Sequence, residues 1–168
     1  MAAILRPSEV GPEVLFIRRA EHPNDPWSGH MAFPGGRREP TDDDLIATAV
    51  RETREEVGLD LPAQGQLLGE LTDVPTHTQG LVVRPFVWWV RELQRPLSPN
   101  EEVAGLKWVD LRSMMEGNRD TTFHFEWKGQ SHALPGYTVE DRVVWGLTYR
   151  MLQQLFAAIR GAPTPGGT

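Results

Sequence analysis

Arg51-Glu52-Thr53-Arg54-Glu55-Glu56-Val57-Gly58-Leu59 is the stretch whose reading decides the rest of this sequence. On a helix of 3.6 residues per turn, Glu52, Glu55 and Glu56 stand at i, i+3 and i+4, so their side chains converge on one face. Ile46, Ala49, Val50, Thr53 and Val57 form an adjoining, largely apolar face. The segment Thr41 to Gly58 is therefore predicted to be one helix that buries one side and offers three carboxylates along its edge. Thr41 or an aspartate of Asp42-Asp43-Asp44 can cap its start, where negative charge suits the helix dipole. Gly58 can end it in a left-handed conformation. Like charges at this spacing repel by about a few tenths of a kcal/mol when exposed, and by more when buried. Arg51, four residues before Glu55, offsets part of that. A hard divalent cation such as Mg²⁺ or Mn²⁺, which prefers carboxylate oxygens, would offset the rest. Glutamate-rich helices are also common as plain solvated surface. What favours a site is the loop Phe33-Pro34-Gly35-Gly36 just upstream, where the backbone can approach a ligand closely.

Working outward, the 168 residues suffice for one domain. Residues 1–160 are read as that domain and 161–168 as a flexible C-terminal tail. Strands are expected at Glu13 to Arg18, Gln66 to Leu71, Val82 to Val90 and Gly105 to Val109. Leu111 to Met115 reads as a helical turn or two. Thr122 to Trp127 and Gln130 to Ala133, flanking Lys128-Gly129, read as a hairpin. Val143, Val144, Leu147, Met151, Leu152, Leu155, Phe156 and Ile159 recur at helical spacing, with Thr138 as N-cap and Gly161 as stop. Strands with two substantial helices predict an α/β protein, a layered sandwich around a mixed sheet.

The formal net charge of −6 argues against nucleic acid or anionic membrane as partner, because both need clustered Lys and Arg. A small phosphorylated substrate stays open, since a bound metal reverses the local charge. The chain has no cysteine, which removes disulfides and thiolate chemistry and makes a reducing cytoplasm the expected setting. Met1 to Arg6 lacks the basic-then-apolar pattern of a secretory leader. Leu81 to Val90, interrupted by Arg84 and Pro85, is too short to span a bilayer.

Together the glycine loop and the carboxylate helix resemble the signature of the Nudix hydrolases, G-x5-E-x7-R-E-U-x-E-E-x-G-U, with U a bulky aliphatic residue. Gly36 is its first glycine, and Arg51, Glu52, Glu55, Glu56, Gly58 and Leu59 fill its later fixed positions. Asp43, eight before Arg51, stands for the first glutamate, with one extra residue in the loop, and Thr53 replaces the aliphatic. Leu15, Phe16, Arg19, Ala20, Gly29 and Phe33 to Gly36 further resemble the upstream signature of the coenzyme A diphosphatase-like branch. Ile17 replaces the threonine of that signature, and Asn24 lies near the place of its internal arginine. The N-terminal extension of that branch is expected to be absent.

The resemblance implies a Nudix-type α/β/α sandwich and hydrolysis of a nucleoside diphosphate linked to another group. Coenzyme A or an acyl-coenzyme A is the first substrate reading. An ADP-ribose, dinucleotide or nucleoside triphosphate pyrophosphatase is the second, and a Nudix fold kept as a non-catalytic nucleotide-binding module is the third. It further implies Mg²⁺ or Mn²⁺ on Glu52 and Glu56, with the Gly36 carbonyl as a backbone ligand. Glu55 is a further ligand or a general base, and Arg51 orients a glutamate by a charge-assisted hydrogen bond. Asp43 would cap or brace the helix. Glu101 or Glu102 is an additional ligand or base, weighed evenly against a solvated acidic turn. Arg19 and Arg37, with Arg18 and Arg38 beside them, are candidates for substrate phosphate, and Trp27 for a substrate ring. His30 and His77 are read as loop histidines. Trp88, Trp89, Trp108 and Trp145 are read as core. Homodimers occur in the family.

Overall fold

The computed structural model describes residues 1–23, 28–77, 80–127 and 129–161, the side chain of Trp127 apart. Its centre is a six-stranded mixed sheet. β2 (Gly11–Arg19) is the spine. β8 (Val103–Asp110) pairs with it antiparallel along one edge. On the other edge β1 (Ala2–Ser8) covers its first half and β3 (Met31–Ala32) its second, both antiparallel. β1 continues the sheet by a parallel pairing to β7 (Phe86–Trp89), and β4 (Gln66–Glu70) closes the far edge.

The alternation of side chains across these strands builds two cores. Ala2, Ile4, Leu15, Ile17, Phe86 and Trp88 face one way, onto Ala49 and Val57 of α1 (Leu45–Val57) and Leu61 of α2 (Leu61–Gln64). Ala3, Leu5, Val14, Phe16 and Val87 face the other way, onto Met151, Leu152, Leu155 and Phe156 of α4 (Gly146–Ile159). The central strands are thus buried on both faces, while the edge strand β4 is exposed, and the layers are those of the predicted α/β/α sandwich. A second sheet of β9 (Asp120–Trp127), β10 (Gln130–Val139) and β11 (Arg142–Trp145) adds Tyr137, Val139 and Val144 to the α4-side core. α3 (Leu111–Met115) is the short turn expected, and β5 (Val74–Pro75) with β6 (Val82–Val83) forms a small ribbon.

Four expectations change. Ala2–Ser8 is a strand, although its alanines carry little β propensity; burial on both faces between two partners decides it. The predicted strand Val82 to Val90 is broken at Arg84-Pro85. The carboxylate helix begins at Leu45 and not at Thr41, because Asp44 is its cap and accepts from the Ala47 N–H. Its C-cap is Gly58 at φ 71°, as predicted. The last helix begins at Gly146. Val143 and Val144 belong to β11 and Thr138 to β10, and Gly146, at φ 59°, separates strand from helix. The proposed tail lies outside the described residues apart from Gly161.

Candidate functional site

α1 carries Glu52, Glu55 and Glu56 to the end of the sheet where β3 runs into the glycine loop. Glu56 is almost fully buried, at 3% exposure, and its Oε2 accepts the Gly35 N–H at 2.7 Å. The Glu52 carboxylate rests on Gly36: a Cβ there would lie 2.3 Å from Oε1. Gly36 is thus required by the approach of a side chain. Gly35 is required by its φ of 141° and by the Met1 backbone, whose Cα would lie 2.6 Å from a Cβ. Glu55 stands outward, its carboxylate half-exposed.

Arg51 holds these groups in place. Its Nη1 donates to Glu52 Oε1 and to Glu55 Oε2, both at 3.1 Å, and its Nη2 donates to the Arg37 carbonyl at 3.0 Å. The other side of the guanidinium meets Asp42 through two bonds of 3.0 Å. Asp42 is buried and also accepts from the Glu39 N–H and the Thr48 hydroxyl. Arg51 holds the Asp42 carboxyl far below the usual carboxylate range, and Asp42 raises the guanidinium in return. Asp43 therefore does not have the bracing role expected of it: Asp42 braces and Asp44 caps. Asp42 lies six residues after Gly36, the interval the signature gives its acid. Counting from the glycine, and not back from Arg51, would have found it. The extra residue falls between Asp42 and Arg51.

Burial raises Glu56, pushing it up to about 7, and the carboxylates of Glu52 and Glu102 add to this; the Gly35 N–H and the charge of Arg19 oppose it. Glu52 is raised chiefly by burial, against Arg51. Glu102 acts on both glutamates, so of the pair Glu101 and Glu102 it is Glu102 whose field reaches the site. Its loop is tied down. The Ala20 N–H donates to the Glu102 carbonyl at 2.8 Å, Glu102 N–H to Asn100 Oδ1, and Asn100 N–H to the Glu56 carbonyl.

Arg19 is on the α1 side of β2. Arg18, on the opposite side, lines a cavity of about 80 Å³ with Lys107 and Arg142. Arg37 enters through its carbonyl, and its side chain is exposed. Arg38 is engaged by the Asp42 and Asp43 carbonyls. Trp27 and Asn24 lie outside the described residues. His30 packs edge-on against Trp145, which is half-buried on the small sheet and not in either core. Trp88 is buried, Trp89 half-buried, and Trp108 lies under the Arg6 guanidinium at 4.2 Å.

A larger depression, of about 320 Å³, is lined by Arg38, Asp43, Asp44, Glu70, Arg84 and Phe86 at the start of α1. Twelve residues of helix, about 18 Å, separate Asp44 from Glu56, so it is not over the carboxylates. The perturbed acids Asp42, Glu52 and Glu56 gather instead around Arg51 and the glycine loop, which makes the glutamates the candidate site. Among the described residues no three His, Asp or Glu side chains enclose a common point at metal-ligand distance; Arg51 stands between Glu52 and Glu55. The donor set is nevertheless all oxygen. Its buried, mutually repelling carboxylates fit a hard divalent cation, which would relieve both burdens.

The family model for the NUDIX domain matches residues 1–141. An uncharacterized Nudix hydrolase NudL of Yersinia pestis (strain Pestoides F) is 34% identical over 157 residues, covering 92% of this chain and 77% of the relative. The NudL protein of Yersinia pseudotuberculosis serotype O:1b (strain IP 31758) matches to the same extent. In fold, the chain is similar to RenU, a Nudix hydrolase from M. smegmatis, with a TM-score of 0.64 at 19% identity over 99% of this chain and 87% of that one. A Nudix hydrolase from Nitrosomonas europaea gives 0.61 at 15% identity over 97% and 73%. Among the described residues no helix is long and apolar enough to cross a membrane.

Proposed function

Because the chain belongs to the Nudix family of hydrolases, which act on diphosphate bonds in nucleoside diphosphate derivatives, we propose that it cleaves the diphosphate of coenzyme A or an acyl-coenzyme A. The observation that carries the site is the seating of Glu56 on the Gly35 N–H with Glu52 against Gly36. The coenzyme A reading rests on the upstream stretch Leu15 to Gly36 and its resemblance to the coenzyme A branch. Within that stretch Arg19 is tied to the start of β3: the Arg19 N–H donates to the His30 carbonyl at 3.0 Å, and the Gly29 N–H to the Arg19 carbonyl at 3.1 Å.

Nudix hydrolases generally use divalent metal ions. In our reading Glu52, Glu56 and the Gly36 carbonyl would hold Mg²⁺ or Mn²⁺, with Glu102 as the additional acid. When bound, the ion would supply charge neutralisation at the phosphoryl oxygens and ease deprotonation of the attacking water. Arg51 fixes the rotamer of Glu52, so the carboxylate is oriented before substrate arrives. Glu55, outward and half-exposed, is a further ligand or accepts the proton of the attacking water. Arg19 and Arg37 are the cations available to a substrate phosphate. Water adds to one phosphorus and the second phosphate leaves, giving a phosphopantetheine and an adenosine bisphosphate from coenzyme A. A homodimer and a cytoplasmic setting belong to the same reading.

The test is a substrate panel with Mg²⁺ or Mn²⁺, products read by mass: coenzyme A, acetyl-coenzyme A, ADP-ribose, NADH, diadenosine polyphosphates and nucleoside triphosphates. Preferential cleavage of the coenzyme A compounds is expected. Preference for another diphosphate would reassign the substrate and keep the reaction. Nucleotide binding without turnover would make the chain a binding module.

A further inference from the structure

Glu56 stands in the last turn of α1, where the helix leaves its final carbonyls without partners of their own. A loop distant in sequence supplies those partners. The Ser98 N–H donates to the Val57 carbonyl at 2.9 Å, and the Asn100 N–H to the Glu56 carbonyl at 3.0 Å. Gly58 makes room for this docking: besides its left-handed φ of 71°, a Cβ there would come within 3.3 Å of Ser98 Cβ.

Asn100 carries the same loop on to the acid. Its side-chain Oδ1 accepts the Glu102 N–H at 3.0 Å, two residues on, which is an Asx turn. Its carbonyl accepts from the N–H of Val103, the buried first residue of β8, at 3.2 Å. From the other side the Ala20 N–H donates to the Glu102 carbonyl at 2.8 Å. Both backbone polar groups of Glu102 are therefore engaged, its N–H by Asn100 and its carbonyl by the residue after β2. One half-buried residue, Asn100, thus links the main chain of Glu56 to the main chain of Glu102 by two hydrogen bonds. The Glu102 side chain itself is exposed, and its charge acts on both Glu52 and Glu56. An acid on a mobile loop must be ordered by the ion it binds, at a cost in affinity; an acid whose backbone is already fixed is spared that cost.

We propose that Asn100 is a positioning residue for the metal site: its Asx turn holds Glu102 against the last turn of α1, so that this acid is in place beside Glu52 and Glu56 before an ion arrives. The proposal rests on the metal-dependent reading above and adds the residue that fixes the additional acid. Asn100 acts through Glu102 and not on the ion or the substrate.

The experiment titrates the full chain with Mn²⁺ alone, by calorimetry, in the unaltered protein, in Asn100→Ala, Asn100→Asp and Glu102→Ala, and in the variant that combines Asn100→Ala with Glu102→Ala. Asn100→Ala keeps the backbone bond to Glu56 and loses only the acceptor for Glu102. It is expected to stay folded by circular dichroism and to bind Mn²⁺ roughly tenfold more weakly, as when a ligand loses its outer support. Before any metal is added, its Glu102 amide should exchange with solvent faster than in the unaltered chain. Asn100→Asp retains an oxygen for that amide and should recover most of the loss. The deciding comparison is the cycle: with Glu102 already alanine, Asn100→Ala should change Mn²⁺ affinity by less than about twofold, because the group it positions is gone. The same loss in both backgrounds would make Asn100 merely structural and overturn the proposal, as would full affinity in the folded Asn100→Ala variant. If Glu102→Ala binds Mn²⁺ as tightly as the unaltered chain while Glu56→Gln does not, Glu102 is no ligand and the proposal falls, with the site at Glu52 and Glu56 left standing. If neither variant weakens binding, the metal reading itself is wrong. Mn²⁺ binding is read without turnover, so failure of coenzyme A as substrate leaves the test intact.

Discussion

Asp42 shows how a single carboxylate can matter to a site it never enters. Both its oxygens are committed to Arg51, and Arg51 in turn steers Glu52 and Glu55. Its folded pKa lies below that of the unfolded chain, so its contribution to stability is present above about pH 4, the ordinary carboxylate value, and is lost as pH falls through the folded value. Asp42→Asn should therefore unfold at a lower temperature than the parent at pH 7, with the gap narrowing below pH 4. Thermal unfolding followed from pH 3 to 7 measures this; a gap independent of pH would refute the charge argument. Turnover should fall by roughly 10- to 100-fold, the usual effect of losing an outer support of a metal ligand, the role proposed for Glu52. Glu56 is the contrasting case. Burial already disfavours its charged form, and a neutral amide oxygen can still accept from the Gly35 N–H. Glu56→Gln is expected to keep its circular dichroism spectrum and melting temperature at pH 8 while losing on the order of a hundredfold or more in kcat, at or beyond the upper end of such support effects. Full activity would remove Glu56 from the site.

Among the elements, the glycine loop and α1 work as one part, and two adjacent glycines separate folding from chemistry. A methyl on Gly36 meets the end of the Glu52 side chain, which can swing aside. A methyl on Gly35 meets the Met1 backbone and sits at a φ of 141°, and neither can give. Gly36→Ala should leave the melting temperature nearly unchanged and depress turnover. Gly35→Ala should lower the melting temperature first. If differential scanning calorimetry finds the order reversed, the assigned contacts are wrong. This part was legible in advance, because its information is local: carboxylates at i, i+3 and i+4, a left-handed glycine at Gly58, glycines beside them. β1 and β11 were not, since Ala2–Ser8 is made a strand by burial between β2 and the sequence-distant β7, and Arg142–Trp145 happens to match the apolar spacing of the helix that follows. The same blindness hid the stacking of Trp145 on Phe123, since the strands that carry them, β11 and β9, are brought together only by pairing to β10 between them.

At the scale of the whole molecule, the loop that serves the glutamates is anchored on the far side of the sheet from them. Phe33 and Phe16 stack at 5.5 Å and 9°, both fully buried in the α4-side core, with Met31 beside them. Two residues later Gly35 and Gly36 meet Glu56 and Glu52, on the α1 side. The chain thus passes from one layer to the other at the edge of β2, and packing of the opposite core is expected to help position the glycine loop. Phe33→Ala should cost about 3–5 kcal/mol by cavity formation. At this chain length each kcal/mol shifts the midpoint by about 2–4 °C, so a fall of roughly 6–20 °C is expected. The more telling readout is activity well below that midpoint. A core residue that only contributes stability leaves kcat of the folded fraction intact. Phe33, holding the loop that places Gly35 and Gly36, should instead lower kcat and weaken stabilisation by Mg²⁺ or Mn²⁺ at 20 °C, while Phe156→Ala, buried in the same core but far along α4, should lower the midpoint and spare both. If the two variants lose activity only in proportion to their unfolding, the loop is positioned locally by α1 and the coupling between layers is absent.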